Sequence, residues 1–119
     1  MSTPMEIVEQ RVGDVTILRL KGRLELDDGD VILRDHVDGL VKEGRVNVVL
    51  DMTDVIRMDS AGIGMLVGKY MTVKNRGGIL RLLHLTERTS RLLHVTRLES
   101  VFEIFESEEA VLQSFRVKT

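Results

Sequence analysis

The chain has 119 residues, of which 43% are hydrophobic and 30% charged, and its formal net charge is −2. This length fits one domain, which would bury roughly 65% of the surface that the unfolded chain exposes. The charge argues against a basic surface that holds nucleic acid directly by releasing counterions. The sequence contains no cysteine, which excludes disulfides and thiolate chemistry and fits a reducing cytoplasm.

The N-terminus shows no targeting pattern, because Met1 to Glu6 is a short polar stretch with a proline and no basic or apolar run. No apolar run in the sequence approaches the roughly 20 residues that a membrane-spanning helix needs. We therefore expect a single domain over residues 1–119 that is cytoplasmic and not inserted in a membrane.

The first predicted element is a β-hairpin. Ile7–Val12 and Val15–Leu20 are two β-rich runs, and only Gly13 and Asp14 separate them. Glycine tolerates the positive φ that tight hairpin turns need, so this spacing predicts an antiparallel pair of strands. Gly22 is expected to end the second strand.

A helix and a strand are predicted next. Asp27 or Asp28 offers an N-cap for the helix, and Gly44 offers a left-handed cap at its end. The apolar residues between these caps recur at i, i+4, i+7 and i+8, namely Leu33, Val37, Leu40 and Val41. Residues 46–50 form an apolar run that predicts a strand covered on both faces, followed by a loop over residues 51–59.

The second half of the chain alternates helices and strands. The predicted elements are a helix from Ser60 to about Arg76, a strand at Ile79–Leu83, a helix from Thr86 to about Val95, a short strand at Val101–Phe105 and a last helix capped by Ser107, with Val111, Leu112 and Phe115 on its inner face. Alternation of this kind requires a largely parallel sheet, and the hairpin adds one antiparallel pair. We predict an α/β fold with a mixed sheet of four to five strands and about four helices.

The most informative stretch is residues 58–66, which reads Met-Asp-Ser-Ala-Gly-Ile-Gly-Met-Leu. A strand here passes through a loop into a helix N-terminus, and parallel sheets present ligand and partner sites at this end of their strands. Ser60 is predicted to cap the helix, with its hydroxyl beside free backbone N–H groups. A serine cap beside small, tightly packed residues would explain the stretch without any function.

Small residues also form a stripe along this helix, because Ala61, Gly64 and Gly68 lie at i, i+3 and i+7. Glycine inside a helix costs roughly 0.8–1 kcal/mol relative to alanine, so a close approach of the backbone to something is expected to offset that cost. The sheet or a partner protein could supply this contact. A partner is favoured, because the sheet already has an apolar helix face, made of Ile63, Leu66, Val67 and Tyr70.

Residues 59–64 read Asp-Ser-Ala-Gly-Ile-Gly and resemble the Asp-Ser-Ser-Gly-Leu-Gly signature of the STAS-domain anti-sigma factor antagonist family. Further segments resemble the strands and closing helix of this family, in order, at Leu20–Glu25, Val46–Asp51, Gly77–Leu82, Arg91–Leu98 and Val101–Phe105. The similarity covers nearly the whole chain. It implies the STAS fold and a single STAS domain over residues 1–119.

In this family a cognate anti-sigma factor, which is also a serine kinase of the histidine-kinase-like ATPase type, phosphorylates the serine after the aspartate. By position, the resemblance implies that Ser60 is the phosphoacceptor and Asp59 its acidic neighbour. The unphosphorylated form would bind the kinase and release the sigma factor, and phosphorylation would switch binding off. A PP2C-type phosphatase is the second implied partner. The resemblance implies a binding module that is not an enzyme and uses no cofactor or metal.

Two residues depart from the family pattern. Ala61 replaces a frequent second serine, which leaves Ser60 as the sole candidate acceptor in the signature. Arg97 stands where the family often has glycine in a Thr-Gly-Leu turn, so the end of the third helix is expected to differ in conformation.

The predicted partner-binding residues surround the phosphoacceptor; they are Glu25, Met58, Asp59, Ala61, Gly62, Gly64, Met65 and Gly68. Glu25 is included because the corresponding loop of the family lies beside the phosphoacceptor loop. Asp27, Asp28 and Asp30 lie close to it in the sequence. An interpretation without a partner is at least as well supported, in which these carboxylates complement a helix dipole.

Two other functions compete with this one. STAS domains also serve as scaffold subunits of stress-signalling or lipid-transport complexes, roles that usually need a sensor domain or a permanent partner, and this length has no room for a sensor domain. A nucleotide-hydrolysing enzyme is a remote alternative, because Gly64–Lys69 superficially resembles a phosphate-binding loop. It has three residues between its glycines instead of four, lacks Ser or Thr after the lysine, and falls inside a predicted helix.

Overall fold

The computed structural model describes residues 4–116, so residues 1–3 of the polar N-terminal stretch and residues 117–119 lie outside the described part. Its elements are β1 (Met5–Val12), β2 (Val15–Leu24), α1 (Gly29–Lys42), β3 (Asn47–Met58), α2 (Ser60–Asn75), β4 (Ile79–Leu83), α3 (Glu87–Val95), β5 (Ile104–Phe105) and α4 (Glu108–Arg116). The strands form one sheet in the order β1-β2-β3-β4-β5. β1 is antiparallel to β2, and the other neighbours are parallel. The predicted α/β class, mixed sheet and opening hairpin are confirmed.

The turn of the hairpin forms where glycine was expected to allow it. Val12 pairs with Val15, and Gly13 between them has a φ of +63°. A side chain at this position would be strained, because L-residues rarely adopt positive φ.

The sheet is covered on both faces, which explains the continuous apolar run in β3. Val48 and Leu50 point into a core beneath α1 and α2, whereas Val49 points into a second core beneath α4. Successive strand residues face opposite sides, so burial of both faces requires apolar residues throughout. The four apolar residues predicted for the inner face of α1 are all buried, namely Leu33, Val37, Leu40 and Val41.

Two strand ends differ from the prediction. β2 continues through Gly22 to Leu24, and β3 continues to Met58, so the loop expected over residues 51–59 is wrong. Aspartate is usually depleted in strands, but here Arg19 Nη1 lies 2.9 Å from Asp51 Oδ2 and satisfies that buried carboxylate. As a result, β3 runs directly into the start of α2.

The last strand is also shorter than predicted, because β5 contains only Ile104 and Phe105. Phe102 is instead buried in the core beneath α1 and α2, where its ring meets that of Tyr70 edge-on with centroids 5.4 Å apart. Burying an aromatic ring gains more than a few extra ladder hydrogen bonds, so the chain turns inward before it joins the sheet.

The turn that follows α3 adopts the glycine-like conformation even though arginine occupies it. Arg97 has a φ of +61°, its N–H donates to the His94 carbonyl at 3.0 Å, and the Leu98 N–H donates to the Leu93 carbonyl at 2.9 Å. These bonds form the usual left-handed end of a helix. Arg97 thus adopts the conformation that glycine favours at the end of a helix, at the cost of backbone strain.

Replacing this arginine should stabilise the protein. We expect Arg97→Gly to raise the free energy of unfolding by about 0.5–1 kcal/mol, because glycine removes the left-handed strain but adds freedom to the unfolded chain. Gly77→Ala is the matched control, since Gly77 follows α2 with a φ of +80° and should lose stability on substitution. Chemical denaturation of both variants measures the effect, and a destabilised Arg97→Gly would contradict the explanation.

Candidate functional site

The junction between β3 and α2 is formed by Asp59. This residue has an extended backbone, with φ −108° and ψ −176°, and its side chain accepts a hydrogen bond from the Gly62 N–H at 2.9 Å. Asp59 is therefore the N-cap, and the prediction that Ser60 caps the helix is wrong by one residue. Ser60 is the first helical residue, and its side chain is exposed. Its hydroxyl is not needed as a cap, because Asp59 already makes the capping bond.

The second oxygen of the Asp59 carboxylate binds a different part of the chain. The Leu26 N–H, in the loop between β2 and α1, donates to Asp59 Oδ2 at 3.0 Å. The Asp59 N–H in turn donates to the Leu24 carbonyl at 3.2 Å. The N–H donors of Leu26 and then Gly62 hold the pKa of Asp59 below its ordinary value, so the carboxylate is ionised at neutral pH. A negative charge therefore stands beside Ser60.

Two predicted partner-binding residues lie inside the protein. Gly62 is buried, and a Cβ at this position would stand 2.1 Å from the Leu24 carbonyl oxygen, a distance that no side chain tolerates. Met58 is 9% exposed and belongs to the core beneath α1 and α2. Close packing of α2 on the end of β2 therefore explains why position 62 is a glycine and why position 58 is apolar.

The other two glycines of the signature helix face solvent. Gly64 and Gly68 are exposed, and a Cβ built at either position meets no atom within 4 Å. The sheet does not explain them, because α2 contacts the core through other residues, namely Ile63, Leu66 and Val73. With Ser60 they lie at i, i+4 and i+8, so one helix face presents the hydroxyl followed by two bare stretches of backbone.

The remaining predicted residues border this face. Ala61 and Met65 are half-buried on α2. Glu25 lies in the loop that Asp59 binds, and its carboxylate is 3.5 Å from Arg57 Nη2 and 3.6 Å from Arg23 Nε. Ion pairing with two arginines therefore accounts for this acid. The helix dipole of α1 is instead complemented by Asp30, whose carboxylate accepts a bond from the Val31 N–H at 2.7 Å.

Sequence reasoning missed Leu26, the residue that joins the β2–α1 loop to the start of α2. Its contribution is a backbone N–H, which carries no signature in the sequence. The bond joins residues 33 positions apart and can be recognised only once the fold is known.

The structure also bears on the alternatives of nucleotide hydrolysis, metal binding and membrane insertion. Lys69 does not extend towards a phosphate, because its ammonium lies 2.6 Å from Asp38 Oδ1 on α1 and its side chain is 15% exposed. Within residues 4–116 no three His, Asp or Glu side chains are grouped to hold a metal ion. Across the same residues, every helix is too short or too polar to cross a bilayer.

Comparison with known proteins identifies the family. Residues 6–111 match the family described as STAS domain. The chain belongs to the STAS family. It is 32% identical over 106 residues to the anti-sigma-B factor antagonist of Bacillus subtilis, a match that covers 89% of this chain and 94% of the relative.

Solved structures of anti-sigma factor antagonists and related proteins share the fold. An anti-sigma factor antagonist from Mycobacterium paratuberculosis superposes with a TM-score of 0.83 at 18% identity, covering 98% of this chain and 100% of the other. The Bacillus cell fate determinant SpoIIAA, in its phosphorylated form, superposes with a TM-score of 0.73 at 18% identity, covering 93% and 100%. The predicted STAS fold and the resemblance to anti-sigma factor antagonists are therefore confirmed.

Proposed function

We propose that this STAS domain is an anti-sigma factor antagonist whose binding is switched off by phosphorylation of Ser60. The exposed face of α2 carries this proposal, because Ser60 lies along it with two glycines at which a Cβ would meet no atom within 4 Å. The similarity to the Bacillus subtilis anti-sigma-B factor antagonist supports the class of partner. The unphosphorylated form binds an anti-sigma factor that is also a serine kinase of the histidine-kinase-like ATPase type, and the sigma factor is released.

The partner contacts the exposed residues of this face. Gly64 and Gly68 allow the backbone of α2 to approach the partner closely, while Ala61 and Met65 border the contact. Met58 and Gly62 act from beneath, since they fix the start of α2 against β2. Asp59 keeps the helix N-terminus in place, and Glu25 lies in the loop that Asp59 binds.

The protein acts by binding and not by catalysis, in the cytoplasm, without a cofactor. The chemistry of phosphate transfer belongs to the kinase, and a phosphatase of the PP2C type removes the phosphate. Ser60 has an acid beside it, but that carboxylate is occupied by the N–H groups of Leu26 and Gly62 and is not free to act as a base. A serine without a base in its own chain is a weak nucleophile, so the transfer of phosphate to Ser60 requires the kinase to supply the base that accepts the hydroxyl proton.

The assignment of Ser60 is tested by phosphorylation in vitro. After incubation with the kinase and ATP, peptide mass spectrometry should locate one phosphate on Ser60, and Ser60→Ala should take up none. Ser90 provides a matched control, since it is exposed on α3 and Ser90→Ala should be labelled like the wild type. Full labelling of Ser60→Ala would show that the acceptor is elsewhere.

A further inference from the structure

An apolar side chain stands in solvent on the loop that Asp59 binds. Leu26 is 64% exposed, although it belongs to an ordered loop between β2 and α1. The loop is fixed by several bonds, including Asp28 N–H to the Glu25 carbonyl at 3.1 Å and Arg23 Nε to Asp28 Oδ2 at 3.2 Å. Asp27 even adopts a φ of +55° within it. The backbone is thus held in a defined shape, and that shape directs a leucine outwards.

The position of this loop is set by the phosphoacceptor helix. One carboxylate oxygen would suffice to cap α2, and Asp59 Oδ1 does so by accepting from the Gly62 N–H at 2.9 Å. The other oxygen accepts from the Leu26 N–H at 3.0 Å. The two N–H groups therefore bind two different carboxylate oxygens, whereas a serine or threonine at this cap would present one oxygen to both of them. Aspartate at this cap therefore connects the cap to Leu26.

We infer that Asp59 is a positioning residue that holds Leu26 beside Ser60 as an apolar anchor for the same partner that binds α2. The inference rests on the proposed function and extends the binding surface from α2 to the β2–α1 loop. A leucine whose backbone is already fixed loses less freedom when a partner buries it than one on a mobile loop would, and this preorganisation favours binding. The chemistry it fits is an apolar pocket on the kinase, next to the site that receives the serine hydroxyl.

Replacing the Leu26 side chain tests whether the β2–α1 loop belongs to the binding surface. We expect Leu26→Ser to weaken binding of the unphosphorylated protein to the kinase at least tenfold, and Leu26→Met to keep most of the affinity. Val8→Ser is the matched control, because Val8 is similarly exposed, at 62%, but lies on β1. Calorimetric titration measures all three. Equal affinities for Leu26→Ser and Val8→Ser would overturn the inference.

Removing the positioning bond tests the role of Asp59. An asparagine side chain at this position would have one carbonyl oxygen for two N–H donors, so Asp59→Asn should accelerate hydrogen exchange of the Leu26 amide at least tenfold in the free protein. Its effect on affinity should be far smaller in a Leu26→Ser background than in the wild type, because both changes act through one side chain. Full additivity, or an unchanged Leu26 amide, would overturn the positioning role. Circular dichroism checks that each variant is folded.

These experiments separate this inference from the proposed function. Suppose that the kinase binds the wild type, fails to bind α2 variants and binds Leu26→Ser as tightly as the wild type. In that case the proposed function stands and the inference fails. If the kinase does not bind the wild type, the proposed function fails. The exchange rate of the Leu26 amide needs no partner and still decides whether Asp59 positions the loop.

Discussion

Gly68→Trp is expected to abolish binding to the anti-sigma factor while the domain stays folded. Gly68 is exposed and a Cβ at this position meets no atom within 4 Å, so we expect the large ring to extend into solvent and leave the core untouched. In the proposed complex the ring would occupy the space that the partner needs in order to reach the backbone of α2. We expect a loss of about 3 kcal/mol of binding free energy, which is more than a hundredfold in affinity and comparable to the loss of a central interface residue.

Three further glycine variants give this prediction its controls. Gly39→Trp places the same side chain on α1, at a position where a Cβ would also meet no atom within 4 Å. We expect this variant to keep wild-type affinity. Gly64→Ala should raise the free energy of unfolding by about 0.8–1 kcal/mol, because alanine is the better helix former. Gly62→Ala should instead destabilise strongly, since its Cβ would lie 2.1 Å from the Leu24 oxygen.

Calorimetric titration against the kinase and thermal melting measure both properties for each variant. A folded Gly68→Trp that binds normally would move the interface away from this face of α2. If Gly39→Trp lost binding to the same extent, a large side chain on either helix would interfere. The result for Gly68→Trp would then no longer identify the exposed face of α2 as the binding surface.

Local patterns in the sequence predict much of this fold. Gly13 and Asp14 between two β-rich runs specify the hairpin turn, and the period of Leu33, Val37 and Leu40 specifies the buried face of α1. Such features depend on neighbouring residues alone, so they can be recognised without knowledge of the fold.

Features that depend on distant residues could not be predicted in this way. Asp51 reads as a loop residue until Arg19, 32 positions earlier, is known to pair with it inside the sheet. Ser60 and Asp59 are both good N-caps by residue type. Asp59 is the cap in the structure, and its second oxygen also receives the Leu26 N–H, a bond that requires β2 to lie beside β3. Likewise, Gly62 and Gly64 look alike in the sequence but lie in contact with the sheet and in solvent, respectively.

Phosphorylation of Ser60 should reduce affinity for the anti-sigma factor more than a hundredfold without unfolding the domain. The phosphate adds about −1.5 to −2 charges at neutral pH. In the free protein this charge lies in the first turn of α2, where helix N–H groups stabilise an anion by roughly 0.3–1 kcal/mol. The melting temperature should therefore change little, even though the Asp59 carboxylate is adjacent.

In the complex the balance reverses. A docked partner would remove water from the phosphate while Asp59, already ionised and bonded to two N–H groups, stays beside it. An uncompensated buried charge costs on the order of 2–5 kcal/mol, and about 3 kcal/mol is more than a hundredfold in affinity. Ser60→Ala should bind constitutively, and Ser60→Asp should bind weakly, although one charge imitates phosphate only in part.

Ser107→Asp is the matched control for added charge. Ser107 caps α4 through a bond from the Ala110 N–H at 3.0 Å, and aspartate caps equally well. α4 lies on the other face of the sheet, against the core that contains Val111, so this charge is remote from α2. Titration of the phosphoprotein, Ser60→Asp and Ser107→Asp against the kinase should show weak binding for the first two and wild-type binding for the third. Equal affinities of the phosphorylated and unphosphorylated forms would rule out the switch and leave a constitutive binding module, because nothing else in the proposed mechanism releases the partner.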